Sequence, residues 1–237
     1  MLAKLEYLED FFSIRTFLLI IFIGILIIGF FTFMVKASKT DVVGTKRIYQ
    51  GYGLFGLTYG LTRIFFLLSD YEIASNSGVV TPLHLIWVTT AYSVTFISIL
   101  FIYFSVEKYV LNRKPVFTFI ALGAFLVCLI SLALVVLGIG LNLANNEGPH
   151  RIAQYVLYIA GPILAGGIMI LYIIIFKNAS GEVRRRSLLS IIGLMLLFTG
   201  LLLDMDILSQ FLIEEIRFLL SPIAFMVGTS IFFYAQK

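Results

Sequence analysis

Apolar residues run along this chain in seven long blocks separated by short polar stretches, a pattern that predicts seven transmembrane helices. The blocks cover residues 14–35, 48–69, 83–105, 116–141, 152–176, 188–203 and 212–235. A helix needs about 20 residues to cross a hydrocarbon core, and each block reaches that length or nearly so. The sixth is the shortest and runs straight into Asp204 and Asp206. A membrane β-barrel would instead show alternating segments of about 10 residues. The expected fold is therefore all-α, a seven-helix membrane bundle over residues 14–237. The first block is too long for a signal-peptide core and reads as a retained helix. Ahead of it, Leu2, Leu5, Leu8, Phe11 and Phe12 recur at helical spacing against Lys4, Glu6, Glu9 and Asp10. Residues 1–13 are thus expected to form an amphipathic segment on the membrane surface.

Composition agrees. Of 237 residues, 60% are hydrophobic and only 13% charged, and the mean hydropathy is +1.04. Too few polar groups remain to coat a soluble domain of this size, so lipid is the solvent for most of the chain. A lone cysteine, Cys128, leaves no disulfide framework or thiolate metal site within the chain and reads as a small packing residue. In a soluble protein the net charge of +4 would hint at nucleic acid, but here the basic residues fall in particular loops. Lys36, Lys39, Lys46 and Arg47 follow the first block, Lys108, Arg113 and Lys114 the third, and Lys177, Arg184, Arg185 and Arg186 the fifth. In the loops after the second, fourth and sixth blocks only Arg151 is basic. Cytoplasmic loops retain Lys and Arg, so the N-terminus is expected outside and the C-terminus inside, in a multi-pass protein of the cell membrane. The bilayer is the expected partner, and nucleic acid is not. All loops are short, and no appended catalytic or kinase domain is expected.

Chemistry concentrates at one end. An ionisable side chain near the centre of a span costs about 2.5–3.5 kcal/mol, so it needs a partner or a watery cavity. Arg63 lies well inside the second block, on one face with Tyr52, Gly56, Tyr59, Phe66 and Asp70 at three- and four-residue steps. That face should point inward. Candidate partners are Asp204, Asp206, Glu214 and Glu215, with Arg217 one turn beyond Glu214; Asp204 and Glu214 come first. Such a pair either fixes helix packing or forms a ligand or ion site. At the same level stand His84 and Trp87 in the third block and His150, Arg151, Gln154, Tyr155 and Tyr158 in the fifth. They read either as the wall of an outer pocket or as an interfacial aromatic belt.

Other features narrow the field. Gly51, Gly53 and Gly56 match GxGxxG without the strand that gives the motif its mechanism, whereas Gly56 and Gly60 form GxxxG and suit close helix contact. Pro162 and Pro222 are candidate kinks. A haem between His84 and His150, the two histidines, is allowed by count alone, and no cofactor is expected. The last block has no lysine, so retinal has no Schiff-base partner at its usual place. The Pro-Gln pair of small sugar and amino-acid exporters and the Ser, His and Asp zinc set of seven-helix hydrolases are both missing, and no metal, nucleophile or enzymatic activity is expected.

Residues 53–70, GLFGLTYGLTRIFFLLSD, and 217–234, RFLLSPIAFMVGTSIFFY, give a layout that resembles the seven-helix sensory modules of prokaryotic membranes, including those at the front of some histidine kinases, and archaeal seven-helix proteins of unknown function. The resemblance implies a sensor or receptor-like module. It would bind a small molecule or lipid between helices 2, 3, 5, 6 and 7 near the outer face, through Arg63, Tyr59, Asp70, His84, Trp87, Tyr155, Tyr158, Asp204, Glu214 and Arg217. Arg184, Arg185 and Arg186 either contact a cytoplasmic or membrane protein partner or anionic headgroups, or serve topology alone. The other reading is a small-solute or ion transporter gated by Arg63 and its carboxylate. A transporter needs a polar path to both faces, and the inner halves of the second, sixth and seventh blocks are largely apolar.

Overall fold

The computed structural model describes residues 14–141, 147–204 and 214–236, and of residues 214–218 only the backbone. The amphipathic segment at 1–13 and Asp206 therefore lie outside the described residues. Within them the chain is helical: α1 (Ile14–Ser38), α2 (Val43–Ser75), α3 (Pro82–Phe104, prolonged by a π-helical turn, Ser105–Val110), α4 (Val116–Gly140), α5 (Glu147–Asn178), α6 (Gly181–Asp204) and α7 (Glu214–Ala235). The first six are long and apolar enough to cross a membrane; in α7 the side chains are described from Leu219 on, and Leu219–Ala235 is apolar. The chain is a multi-pass membrane protein.

Several helices outrun their apolar blocks. Hydrophobicity marks the thickness of the hydrocarbon, whereas a helix continues into the interface wherever its polar residues support it. Thus α2 carries Lys46 and Arg47 at one end and Asp70 and Glu72 at the other, and α5 takes in His150 and Arg151. Arg184, Arg185 and Arg186 are not loop residues; they lie in the opening turns of α6. There Glu182 accepts from Arg186 Nε one turn on at 3.0 Å, an orientation that favours the helix.

Each helix packs on the next, and α7 returns to α1 to close a ring, with α3 also reaching α5. Stacked and edge-on rings fill the middle, Phe22 on Phe225 at 5.3 Å, Phe33 against Phe233 at 5.3 Å and Tyr52 against Phe232 at 5.8 Å. Outward, α1 exposes Phe17, Ile28 and Phe31, and α4 exposes Phe119, Ile130 and Leu137. Such surfaces suit lipid.

Small residues set the closest approaches. A Cβ on Gly56 would stand 2.9 Å from the Leu26 carbonyl of α1, so half of the GxxxG motif makes a backbone contact. The pair Gly193 and Gly228 brings α6 and α7 together more tightly still: a Cβ on Gly193 would lie 2.7 Å from Phe232 N, and one on Gly228 2.7 Å from Gly193 O. Both prolines stay within continuous helices, and beside Pro222 the Ser221 hydroxyl donates across to Gly200 O at 3.0 Å.

The π-helical turn has a clear consequence. It buries Glu107, whose Oε1 accepts from Phe117 N at 3.0 Å and whose Oε2 accepts from Thr118 N at 2.9 Å and Thr118 Oγ1 at 2.7 Å. A carboxylate thus satisfies the free N–H groups at the start of α4 and faces its positive dipole end. Glu107 fell between two apolar blocks, where nothing in the spacing assigned it a task.

Candidate functional site

Along α2, the three- and four-residue steps place Tyr52, Tyr59 and Arg63 on the buried face. The i,i+4 spacing lets Arg63 Nη2 donate to Tyr59 OH at 2.8 Å. Its Nη1 donates to Oδ2 of Asp204, the last residue of α6, also at 2.8 Å. The guanidinium lies 3.9 Å over the ring of Phe225 from α7, with Tyr59 and Phe66 at 5.2 and 5.7 Å.

Asp204 has a second donor. Arg15, in the first turn of α1, donates from Nη2 to Asp204 Oδ1 at 3.1 Å, while its Nη1 stands 3.7 Å from Asp70 Oδ2. The charges alternate along this row, Asp70, Arg15, Asp204, Arg63. Burial rises along it too, from a side chain 41% exposed at Asp70 to one 3% exposed at Arg63. Alternating sign and a hydrogen bond on each Asp204 oxygen offset the cost of placing charge in a span.

This row forms one wall of a cavity of about 410 Å³. Side chains from α1, α2, α3, α5 and α6 line it, among them Thr62, Ser69, Tyr92 and Thr95 besides the charged row. His84 Nδ1 lies 2.7 Å from Ser69 Oγ, and His150 Nδ1 lies 3.1 Å from Thr89 Oγ1, so a hydroxyl holds each imidazole at the cavity edge. The α3 entry is set by Thr81, whose Oγ1 accepts from His84 N at 3.1 Å and donates to Glu72 Oε1 at 3.0 Å. Gln154 Nε2 donates to Tyr158 OH at 3.0 Å across one turn of α5.

Of the residues expected at this site, Arg63, Tyr59, Asp70, His84, Tyr158 and Asp204 share the cavity wall, with His150 and Gln154. Three others do not line it, Arg151 among them, which pairs with Glu147 one turn away at 2.9 Å. Trp87 stacks on Phe65 at 5.9 Å, and Tyr155 is 59% exposed on the outer side of α5. Both α3 and α5 are apolar over most of their circumference, so the sequence carried little sign of which side turned inward. The side chains of Glu214 and Arg217 lie outside the described residues. Helix α1 contributes wall residues Arg15 and Leu19, whereas among the described side chains α7 enters only through Phe225 beneath the guanidinium. Arg15 was missed, although an arginine one residue inside an apolar block at the level of Asp70 and Asp204 is the signal that pointed to Arg63.

At the opposite end of the bundle, Tyr52 OH and Tyr172 OH are 2.8 Å apart, and Gln236 Nε2 donates to Ser190 Oγ at 2.7 Å. There Arg184 lies over Phe176 at 4.8 Å, and Arg185 and Arg186 both reach Glu182.

Comparison with protein-family models, with curated proteins and with solved structures finds no match for this chain.

Proposed function

We propose that the chain is a sensor or receptor-like module of the cell membrane, with seven spans and the N-terminus outside, whose polar cavity binds a small molecule or lipid. The cavity itself carries this reading: five helices converge on about 410 Å³ of space around a buried arginine. A pair serving packing alone has no use for such a space. Because the walls come from separate helices, a ligand touching several of them biases their relative positions, which is what a sensor requires.

Two contacts support the seventh span. Ser221 bonds Gly200 near one end of α7 and Gln236 bonds Ser190 at the other, so α7 runs antiparallel along a helix long enough to cross. The clustering of Lys and Arg after α1, α3 and α5 supports the orientation, with the cavity outside and Arg184, Arg185 and Arg186 inside, poised for a partner protein or anionic headgroups.

A closed site is favoured over a transport path by what lies under the cavity. Below Tyr59, Leu157 and Leu201 come Phe55, Ile99, Ile102, Leu164, Leu194 and Leu197, an apolar floor that solvated ions and sugars do not cross.

Thermal unfolding of the protein in nanodiscs against lipids, amino acids, sugars, carboxylates and ions tests the reading. A ligand at about 100 times its Kd adds about 2.7 kcal/mol of stability. One chemical class is expected to raise the melting temperature of the parent and not of Arg63→Ala or Gln154→Leu. If no class stabilises the parent, the reading fails; uptake of the stabilising solute into proteoliposomes would replace the sensor with a transporter.

A further inference from the structure

The apolar floor is open on one side. A half-open groove of about 110 Å³ lies in it, and Tyr59, Thr95, Leu157 and Leu201 line both this groove and the polar cavity. The two spaces therefore meet across a single layer of side chains.

The opening lies between α5 and α6. Of the consecutive helices, these two pack least on one another. On α5, a Cβ at Gly161 would meet only Leu157 of its own helix, at 3.9 Å, with no atom of α6 in reach, whereas Gly193 and Gly200 of α6 lie hard against α7. Ala165, one turn on from Gly161, and Phe198 of α6 both line the groove and are half-buried. Each stands between an inward position and an outward one. On α5, Leu164 is buried and Ile163 is 52% exposed; on α6, Leu197 is buried and Met195 is 54% exposed. The rim of the groove is thus on the outside of the bundle, within the apolar stretches of both helices. At that depth the solvent is hydrocarbon, so what enters from the side is an acyl chain.

At its upper end the groove meets uncharged groups that lack partners. The Nη atoms of Arg63 and both oxygens of Asp204 are engaged, and Arg63 Nε is sealed, so this pair is a finished wall. His84, His150 and Gln154 differ. Each spends one polar atom on a neighbouring hydroxyl. The other, His84 Nε2, His150 Nε2 or Gln154 Oε1, has no partner among the described residues and is not sealed from the cavity. A hydroxyl both donates and accepts, so it suits a ring nitrogen of either tautomer and an amide oxygen alike. At the threshold the hydroxyls of Tyr59 and Thr95 are taken, by Arg63 and by Ala91 O, which leaves carbon facing the passage.

Resting on the ligand-binding reading above, we propose that the ligand is a single-chain membrane amphiphile with an uncharged, hydroxylated head. It enters from the bilayer between α5 and α6 and lays its chain in the groove past Ala165 and Phe198. Its head rests against Gln154, His84 and His150. The site thus reads the composition of the membrane.

The test uses the full chain in nanodiscs doped with a 1-monoacylglycerol of oleoyl length that carries a diazirine midway along its chain. After irradiation, labelling is expected to be saturable, to fall on α5 and α6 around Gly161, Ala165 and Phe198, and to be competed by 1-oleoylglycerol. Methyl oleate, which keeps the chain and lacks the hydroxyls, should compete at least ~10-fold more weakly; 1,2-dioleoylglycerol should compete poorly, and glycerol not at all. Ala165 lines the groove and not the polar cavity, so Ala165→Phe narrows the opening alone and should cut labelling ~10-fold. Ile163→Phe, on the outward side of the same helix, should leave it unchanged. Gln154→Leu should weaken competition by 1-oleoylglycerol ~5-fold.

Labelling that 1-oleoylglycerol does not compete, or that Ala165→Phe and Ile163→Phe leave equally intact, is annular lipid and overturns the side entry. Equal competition by methyl oleate, or competition unaltered by Gln154→Leu, overturns the head, and equal competition by 1,2-dioleoylglycerol overturns the single chain. Should a water-soluble solute stabilise the parent in the thermal screen, and Ala165→Phe to the same degree, the ligand-binding reading stands and the membrane amphiphile falls. If labelling is not saturable and no solute stabilises the parent, both fall.

Discussion

Arg63 and Asp204, far apart in the chain, meet at 2.8 Å, and the meeting ties the middle of α2 to the last residue of α6. Removing either partner leaves the other charge poorly compensated. Arg63→Ala and Asp204→Ala are each expected to cost about 2–3 kcal/mol, with a coupling of about 1–2 kcal/mol between them. Reversible unfolding in mixed micelles measures all four corners of the cycle, and strictly additive losses would dissolve the pair.

Tyr59 holds the other end of the same guanidinium. Tyr59→Phe keeps the ring stacked on Phe55 at 5.5 Å but removes the hydroxyl that accepts from Nη2. A lost hydrogen bond to a buried charged group costs about 1.5–3 kcal/mol. The loss should shrink when Tyr59→Phe is made in the Arg63→Ala background; a loss of undiminished size there would mean that the hydroxyl acts elsewhere.

The glycines separate contact from conformation. Gly193→Ala places a methyl 2.7 Å from the backbone of α7 and should destabilise by about 1–3 kcal/mol, because neither backbone can yield without shifting a helix. Gly24→Ala meets nothing within 4 Å and should be neutral or stabilise by up to about 1 kcal/mol through helix propensity. Equal responses of the two variants in one thermal series would show that α6 and α7 are not in backbone contact at Gly193.

How legible this molecule is depends on which physical quantity each feature expresses. Helix existence follows from hydrocarbon thickness, which writes itself as run length, so the six long spans could be read directly. The pairing of Arg63 with Asp204 could be read because a charge inside an apolar block is conspicuous and Tyr59 sits one turn away. Rotation of a helix about its axis is harder. In water an apolar stripe marks the buried face, but in lipid both faces are apolar, so the pattern leaves Trp87 and Tyr155 open between the cavity wall and an aromatic belt, and both lie off the cavity wall. Arg15 resembled an interfacial flank, and the role of Glu107 depends on a π-helical turn that no periodicity announces.

Glu107 makes that last point testable. Glu107→Gln keeps an acceptor oxygen but loses the charge facing the α4 dipole, and Glu107→Ala strands the Phe117 and Thr118 N–H groups. Stability should fall in the order parent, Gln, Ala, with about 2 kcal/mol lost for Ala. Amide exchange at Phe117 and Thr118 should accelerate in the same order. Unchanged exchange in Glu107→Ala would assign the capping of α4 to something else.

The seventh span and the orientation are tested together by labelling. In a Cys128→Ala background, single cysteines at Val79 and Glu147 sample one end of the bundle, and those at Lys114 and Lys177 the other. With the N-terminus outside, an impermeant maleimide added to intact cells should label Val79→Cys and Glu147→Cys, while Lys114→Cys and Lys177→Cys react only after permeabilisation. The reverse pattern would invert the protein and place the polar cavity in the cytoplasm, where its ligand would have to be an internal metabolite. Gln236→Cys then decides the count. The bond from Gln236 to Ser190 places the end of α7 beside the start of α6, so it should label with Lys177→Cys. Labelling with Val79→Cys instead would leave six crossings, with α7 folded back along α6 on one side of the bilayer, and its small-residue contact with α6 would have to be rebuilt.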